Sequence, residues 1–288
     1  MRRAVARRYR LGMPEPSPQA APASPSHEAL AFGPLLREWR GRRRLSQLAL
    51  ALVAGVSSRH LSFVETGRAQ ASRDMVLLLA ERLQVPFRER NLMLLAAGFA
   101  PVFPLRTLDD PALKEARRAV EIVLAGHEPY PALAVDRHWN LVLANRAVAP
   151  FLEGVAPELL APINVLRLSL HPRGLARRIA NLAEWRHHVL ARLHHQIELS
   201  GDPVLAALRD ELAGYAAPSP APVSFRDPKG DALGVVVPLQ LVTDGGVLSF
   251  FTTTTVFGTP IDISLSELAI EAFFPADAET ADRLRSTP

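Results

Sequence analysis

VSSRHLSFVETGR, Val56 to Arg68, is the stretch whose reading decides this chain. Leu61 and Val64 stand three apart, the spacing at which a helix turns two apolar side chains to the same side. That leaves Ser58, Arg59, Ser62 and Thr66 along the outer side. Long charged residues would solvate such a strip equally well. Short polar side chains around one arginine suit contact with the edges of DNA bases, because the planar guanidinium can make paired hydrogen bonds.

The flanking sequence supports a small helical domain. From about His27 to Phe99 the apolar spacing is helical, interrupted by helix starts: Ser46 before QLALALVAG, Ser57 before SRHLSFVETG, Ser72 before RDMVLLLAERL, and Pro86 opening FRERNLMLLAAG. With FGPLLREWRGRRR in front, five short helices are expected. Gly55 falls where a sharp turn between two of them needs positive φ, and Val53, Val56, Leu61 and Val64 can close the angle, so the pair over 46–66 reads as a helix-turn-helix. Its outer strip is narrow enough for a major groove about 12 Å wide.

Charge points the same way. Residues 1–106 hold 17 Lys/Arg against 7 Asp/Glu, and the remainder 16 against 22, so a region of net +10 precedes one of net −6. The first part suits a polyanion and the second has no electrostatic reason to touch one. Lys114 and Lys229 are the only lysines, so the cationic surface is almost all arginine. The chain has no cysteine, which excludes disulfides, thiol catalysis and cysteine-ligated metal sites. A hydrophobic share of 48% is enough for real cores, yet no run approaches the roughly 18 apolar residues a membrane span needs. A cytoplasmic protein that does not enter membranes is expected. The segment MRRAVARRYRLGMPEPSPQAAPASP, basic and then rich in Pro, Ala and Ser, reads as a disordered arm, with phosphate gripping as its functional alternative.

LSQLALALVAGVSSRHLSFVETGRAQASRDMVLLLAERLQV resembles the XRE family of lambda-repressor-like DNA-binding domains, and the likeness covers the whole helical block. The resemblance implies double-stranded operator DNA as partner. It places Gln47 at a phosphate or base, Ser57, Ser58, Arg59 and Ser62 at the groove, and Thr66 and Arg68 on the DNA backbone. It also implies a buried ion pair between Arg40 and Glu65, a structural one. Phe63 stands where a polar residue is usual in the family. The run Arg42, Arg43, Arg44 reads as a solvated face.

AGFAPVFPLRTLDDP, with three prolines, marks a boundary, and a linker helix is expected from about Pro111 to Ala125. Beyond it, ALAV and NLVLA read as strands about a turn at Asp136–His138, residues 157–214 as helical, and GVVVPLQLVTDGGVLSFFTTTTVFG as two strands joined at Asp244-Gly245-Gly246. In DISLSELAIEAFFP, Ser264 and Glu267 have the spacing of a capping box, with Leu265, Leu268, Ala269 and Phe273 closing the core. The expected fold class is thus α+β in two domains: an all-α five-helix N-terminal domain and an antiparallel sheet with helices. The assignment is an arm over 1–26, a helix-turn-helix domain over 27–100, a linker over 101–125 and a second domain over 126–288.

The order of elements in the second domain resembles a PAS domain. LLAAGFAP, PYPALAVDRHWNLVLANRA, NVLRLSLHP, NLAEWRHHVLARL and FGTPIDISLSELAIEAFFPAD resemble, more specifically, the MmyB-like ligand-binding domain that follows an XRE domain in bacterial regulators. That resemblance implies a sensor of a small, fatty-acid-like apolar ligand, with no required cofactor beyond a bound fatty acid or similar amphiphile. Trp139, Leu141, Leu143, Leu166, Leu170, Trp185, Phe250 and Phe251 are the expected walls of a pocket. Asn145, Arg167 and His171 are the expected holders of a carboxylate head.

His187, His188, His194 and His195 invite a metal reading, but their same-face pairs are seven apart, about two turns or roughly 10 Å, too far for two imidazoles on one ion. No phosphate loop, H-E-x-x-H or G-x-S-x-G is present, so neither a metal site nor an enzyme is expected. The rival to a ligand sensor is a ligand-free dimerisation or interaction module. A cavity of several hundred cubic ångströms, roughly the size of known ligand sites, with one cationic or amide end would favour the sensor, and a solid core with an exposed apolar patch the module. A homodimer reading two half-sites about 34 Å apart is expected in either case. If the basic arm contacts phosphates, deleting residues 1–25 weakens operator binding and makes log K fall less steeply with log salt; an unchanged slope in a titration of the deletion variant would return the arm to disorder.

Overall fold

Serine side chains start the N-terminal helices. In the computed structural model, which describes residues 31–216, 237–258, 260 and 262–286, these are α1 (Phe32–Arg42), α2 (Gln47–Ala54), α3 (Ser58–Glu65), α4 (Arg73–Arg82) and α5 (Phe87–Ala96). Ser46, Ser57 and Ser72 accept hydrogen bonds from the backbone N–H of Ala49, His60 and Met75 at 3.0, 3.1 and 3.2 Å. Each satisfies one of the donors that a helix start leaves open. The arm expected over 1–26 and the beginning of the strand expected at Gly234 lie outside the described residues.

Two glycines set the geometry of the motif. Gly55 adopts φ +67° and ends α2, and α3 departs at 116° to it, within the range of helix-turn-helix pairs. At Gly33, α1 lies so close to the end of α3 that a Cβ would stand 2.5 Å from the Glu65 carbonyl oxygen. Leu36, Leu50, Leu61, Val64, Val76, Leu79 and Met93 fill the space between the five helices. Glu65 is buried there as well, at 3% exposure. Arg40 donates to both its oxygens, at 2.7 and 3.0 Å, and Gln47 Nε2 donates at 2.7 Å, so one carboxylate ties α1, α2 and α3 together. Burial by itself pushes the Glu65 carboxyl up; the bonds from Arg40 and Gln47 outweigh it and hold the group below its usual range.

The second domain is a five-stranded antiparallel sheet, β1 (Ala132–Val135), β2 (Leu141–Ala144), β3 (Leu239–Thr243), β4 (Gly246–Val256) and β5 (Ala269–Pro275), in the order β2-β1-β5-β4-β3. β3 and β4 form the hairpin expected at Asp244-Gly245, with Thr243 opposite Gly246. Between β2 and β3 the chain forms α7 (Val165–Leu170), α8 (Leu182–Ser200) and α9 (Pro203–Ala213). These cover the face that carries Leu133, Val135, Leu241, Leu248 and Phe250. The linker helix α6 (Lys114–Gly126) packs Val120 and Leu124 on the other face, against Ala132, Ala134 and Ile270.

One element departs from expectation. DISLSELAIEAFFP forms only a single helical turn, α10 (Ile263–Ser266), before entering β5, which lies between β1 and β4; α11 (Ala278–Ser286) ends the described chain. Asp262, not Ser264, caps that turn, accepting from the Ser264 N–H at 2.8 Å. The Glu267 carboxylate turns away to arginines. The period-two pattern of Ile270, Ala272 and Phe274 against Glu271 and Phe273 suits a strand paired on both edges, and it prevails over a four-residue capping pattern.

Replacing Glu65 by Ala strands Arg40 and unties three helices, and is expected to destabilise the N-terminal domain by roughly 3–5 kcal/mol. Hydrogen exchange of α1–α3 amides measures it, and wild-type protection would contradict the role. Because the folded carboxyl lies below its unfolded value, its contribution is present above the unfolded pKa and is lost as pH falls through the folded one.

Candidate functional site

The outer side of α3 is the first candidate. Ser57, Ser58 and Arg59 are exposed and Ser62 half-buried, on one side of a helix whose other side holds Leu61 and Val64 in the core. The Arg59 guanidinium lies 5.4 Å from the centre of the Phe63 ring, so Phe63 supports the arginine as well as filling space. Ser57 is at once the cap of α3 and part of this face. Thr66 is exposed, its hydroxyl donating back to the helix-end carbonyls of Ser62 and Phe63, and Arg68 is exposed beyond it. Gln47 is oriented by its bond to Glu65 rather than left free.

Two of the three arginines in the run leave the solvated face that its composition suggests, while Arg44 stays exposed. Arg42 donates to the Ser200 carbonyl, and Arg43 to those of Leu83, Gln84 and Leu199. Two cations thereby meet the C-terminal end of α8, where open carbonyls favour positive charge. A second bridge joins the domains through Arg137 in the β1–β2 turn. Its guanidinium pairs with Asp202, which caps α9, reaches Glu267 at 3.0 Å and stands 3.6 Å from Glu89 of α5. Arg88 holds both oxygens of Glu267 at 2.9 Å. Burial pushes the Glu89 carboxyl up against the opposing pull of Arg137. Between the domains, Asn91 binds the backbone of Val102 and Phe103, and Phe103 stacks on Phe87 with ring centres 4.3 Å apart.

The second candidate is a cavity between the sheet and α7–α8, with room for the centre of a water-sized sphere over about 110 Å³. That is below the several hundred expected from the sequence, and of the order of an engineered cavity that takes benzene. Four of the expected wall residues line it: Trp139, Leu166, Trp185 and Phe250. The other four do not. Leu141 and Leu170 pack in the surrounding core. Phe251 lies on the opposite face of the sheet, stacked on Phe274, because neighbouring strand residues alternate sides, and Leu143 lies there because the register shifts between Ala134 and Val135, which separates it from Leu141.

None of the three expected head-group residues is available either. Asn145 is buried and bonds the backbone of Leu124, Tyr130 and Ala132. Arg167 pairs with Glu211 near the surface, and His171 bonds the Arg173 N–H and meets the Tyr215 ring.

The polar end of the cavity is instead Arg192 and His188 of α8 with Glu271 of β5. Arg192 donates to both Glu271 oxygens, at 3.0 and 2.7 Å, and Thr254 donates to one of them at 2.8 Å. The guanidinium also lies 4.5 Å from the centre of the Trp139 ring. Burial, with Arg192 nearby, holds the His188 imidazole below its usual range, so it is neutral at pH 7. Sequence reading missed these three. Glu271 belongs to the segment read as a capped helix, and His188 and Arg192 look like the wet side of α8 until the sheet is laid against it. The available signal was the four-residue spacing of His188 and Arg192, one turn apart and in line with Trp185. Among the described residues no group of His, Cys, Asp or Glu could hold a metal ion, and no single helix is long and apolar enough to cross a membrane.

Comparison with known proteins agrees with this division. No curated protein matches the chain. A solved structure described as an RNA-binding light-oxygen-voltage receptor aligns over 99% of this chain and 67% of that one, at 16% identity and a TM-score of 0.23, too low to bear on the fold. A helix-turn-helix family model matches residues 36–90, the block that contains α2 and α3. A model described as the MmyB-like transcription regulator ligand binding domain matches residues 116–286, the part that contains the sheet and the cavity. The chain therefore belongs to the MmyB-like family of transcription regulators, with a DNA-binding N-terminal domain and a ligand-binding C-terminal one.

Proposed function

We propose that this protein is a bacterial, cytoplasmic regulator that reads a specific operator through α3 and changes its grip when a small, fatty-acid-like apolar molecule enters the cavity of its second domain. The observation that carries this reading is the position of Trp139. Its ring lines the cavity beneath Arg192, while Arg137 and His138, two residues and one residue before it, both bond Asp202, and Arg137 continues to Glu267 and towards Glu89 of the DNA-binding domain. Trp139 has φ +67°, so it sits in a tight turn whose path depends on where the ring rests.

A ligand that moves this ring reaches the bridge within two residues. For that to alter DNA binding, the ligand must have different affinity for the bridged and unbridged arrangements. The cavity as it stands suits a group of benzene size, so a longer chain requires Trp139, Phe151 or Leu152 to swing aside.

At the operator, Arg59 reads a base, Ser57, Ser58 and Ser62 approach the groove, Gln47 meets a phosphate or a base, and Thr66 and Arg68 contact the DNA backbone. A homodimer would present two copies of α3 to successive major grooves about 34 Å apart. The rival reading, a ligand-free dimerisation module, draws on Ile122 and Val123, which are exposed on the outer side of α6. Native mass spectrometry with identification of any extracted small molecule separates the two: a stoichiometric amphiphile supports the sensor, and an empty dimer the module.

Two variants follow. Arg59→Ala is expected to relax discrimination at one base pair by about 1–3 kcal/mol, measured by competition between operators, and unchanged discrimination would remove Arg59 from the readout. Arg137→Gln is expected to leave the second domain able to bind ligand while operator affinity ceases to respond to it. Retention of the full response in a titration would place the coupling elsewhere.

A further inference from the structure

The polar end of the cavity is already charge-balanced. Arg192 brings one positive charge and Glu271 one negative charge, paired through two hydrogen bonds, and Glu271 is only 4% exposed. Most of the remaining walls, Trp139, Leu166, Val189 and Phe250 among them, are apolar; His188, Ser169 and Thr252 are the other polar side chains, and the Ser169 hydroxyl accepts from Trp185 Nε1. An anion that entered would stand beside a buried carboxylate and leave the cavity with a net charge, which is costly where water is scarce. An anion that used the remaining N–H groups of Arg192 would share the guanidinium with Glu271 and set two negative charges against one positive charge. An uncharged head meets no such obstacle. Glu271 Oε1 already accepts from Arg192 and Thr254 and Oε2 from Arg192, three of the roughly four hydrogen bonds a carboxylate can accept, so Oε2 has room for one more donor.

We infer that the cavity selects an uncharged amphiphile, an apolar tail ending in a hydroxyl or primary amide, which donates to Glu271 Oε2, and that it discriminates against the free carboxylate of the same tail. This deepens the ligand reading proposed above and rests on it. It separates two features that a fatty-acid-like expectation joins: the tail is retained and the ionised head is not. Glu271 is then the residue that sets head-group specificity. The neutral state of His188 is in keeping, since a cationic imidazole would have offered a second partner to an anion.

The test is isothermal titration of the full-length protein at pH 7.5 with three probes of equal tail length, 1-octanol, octanamide and octanoate. The alcohol and the amide are expected to bind about tenfold tighter than octanoate. In Glu271→Gln, which removes the negative charge and keeps the shape, the preference is expected to vanish or reverse, because Arg192 is then free to pair with the carboxylate. Octanoate binding as tightly as octanol to the wild-type protein would overturn the inference. So would a preference that survives in a folded Glu271→Gln variant. If the variant does not fold, the wild-type ratio alone decides. Failure of all three probes to bind the wild-type protein would instead overturn the ligand reading itself.

Discussion

Arg137 is where the two halves of this protein depend on each other. It lies in the two-stranded turn of one domain, and its three acidic neighbours come from three other places: the cap of α9, the turn before β5, and α5 of the DNA-binding domain. Half-buried arginines of this kind hold position rather than add much net stability, since removing the charges from water costs about as much as their attraction returns. What the cluster does is fix an arrangement. With Arg88 on Glu267 and Arg42 and Arg43 on the end of α8, it sets how the DNA-reading helix is carried relative to the cavity.

The same logic recurs at smaller scale. Glu65 inside the first domain and Glu271 inside the second are both buried carboxylates whose bonds are nearly all made within the fold. In the first case the partners come from two neighbouring helices and the outcome is a rigid motif whose outer face is free for DNA. In the second the chief partner, Arg192, lines a cavity and the outcome is a site of fixed polarity. A carboxylate surrounded by donors is a structural tie when no space adjoins it, and a selector when space does.

Composition and periodicity made much of this legible. The helix-turn-helix rests on local signals, serine caps, a left-handed glycine and three-residue apolar spacing, and these act over a few residues whatever surrounds them. Arg40 and Glu65 were reached through family resemblance and not through spacing. The cavity was only partly legible: Trp139, Leu166, Trp185 and Phe250 lie on its wall, while Leu143 and Phe251 point the other way. Which side of a strand faces a helix depends on register, and a shift of one residue inverts it.

By itself the sequence determined where the helices begin and end in the first domain, the sign of charge along the chain, the hairpin at Asp244-Gly245 and the presence of a second, mixed domain. Each of these follows from the chemistry of neighbouring residues. The tertiary structure alone decided that AIEAFFP is an inner strand, that Arg42 and Arg43 bind helix-end carbonyls, and that Arg192 meets Glu271, 79 residues away, at the edge of a cavity. Those outcomes depend on pairings between distant segments. A carboxylate or a guanidinium finds its partner only once the chain has closed around it, and no local pattern records which partner that will be.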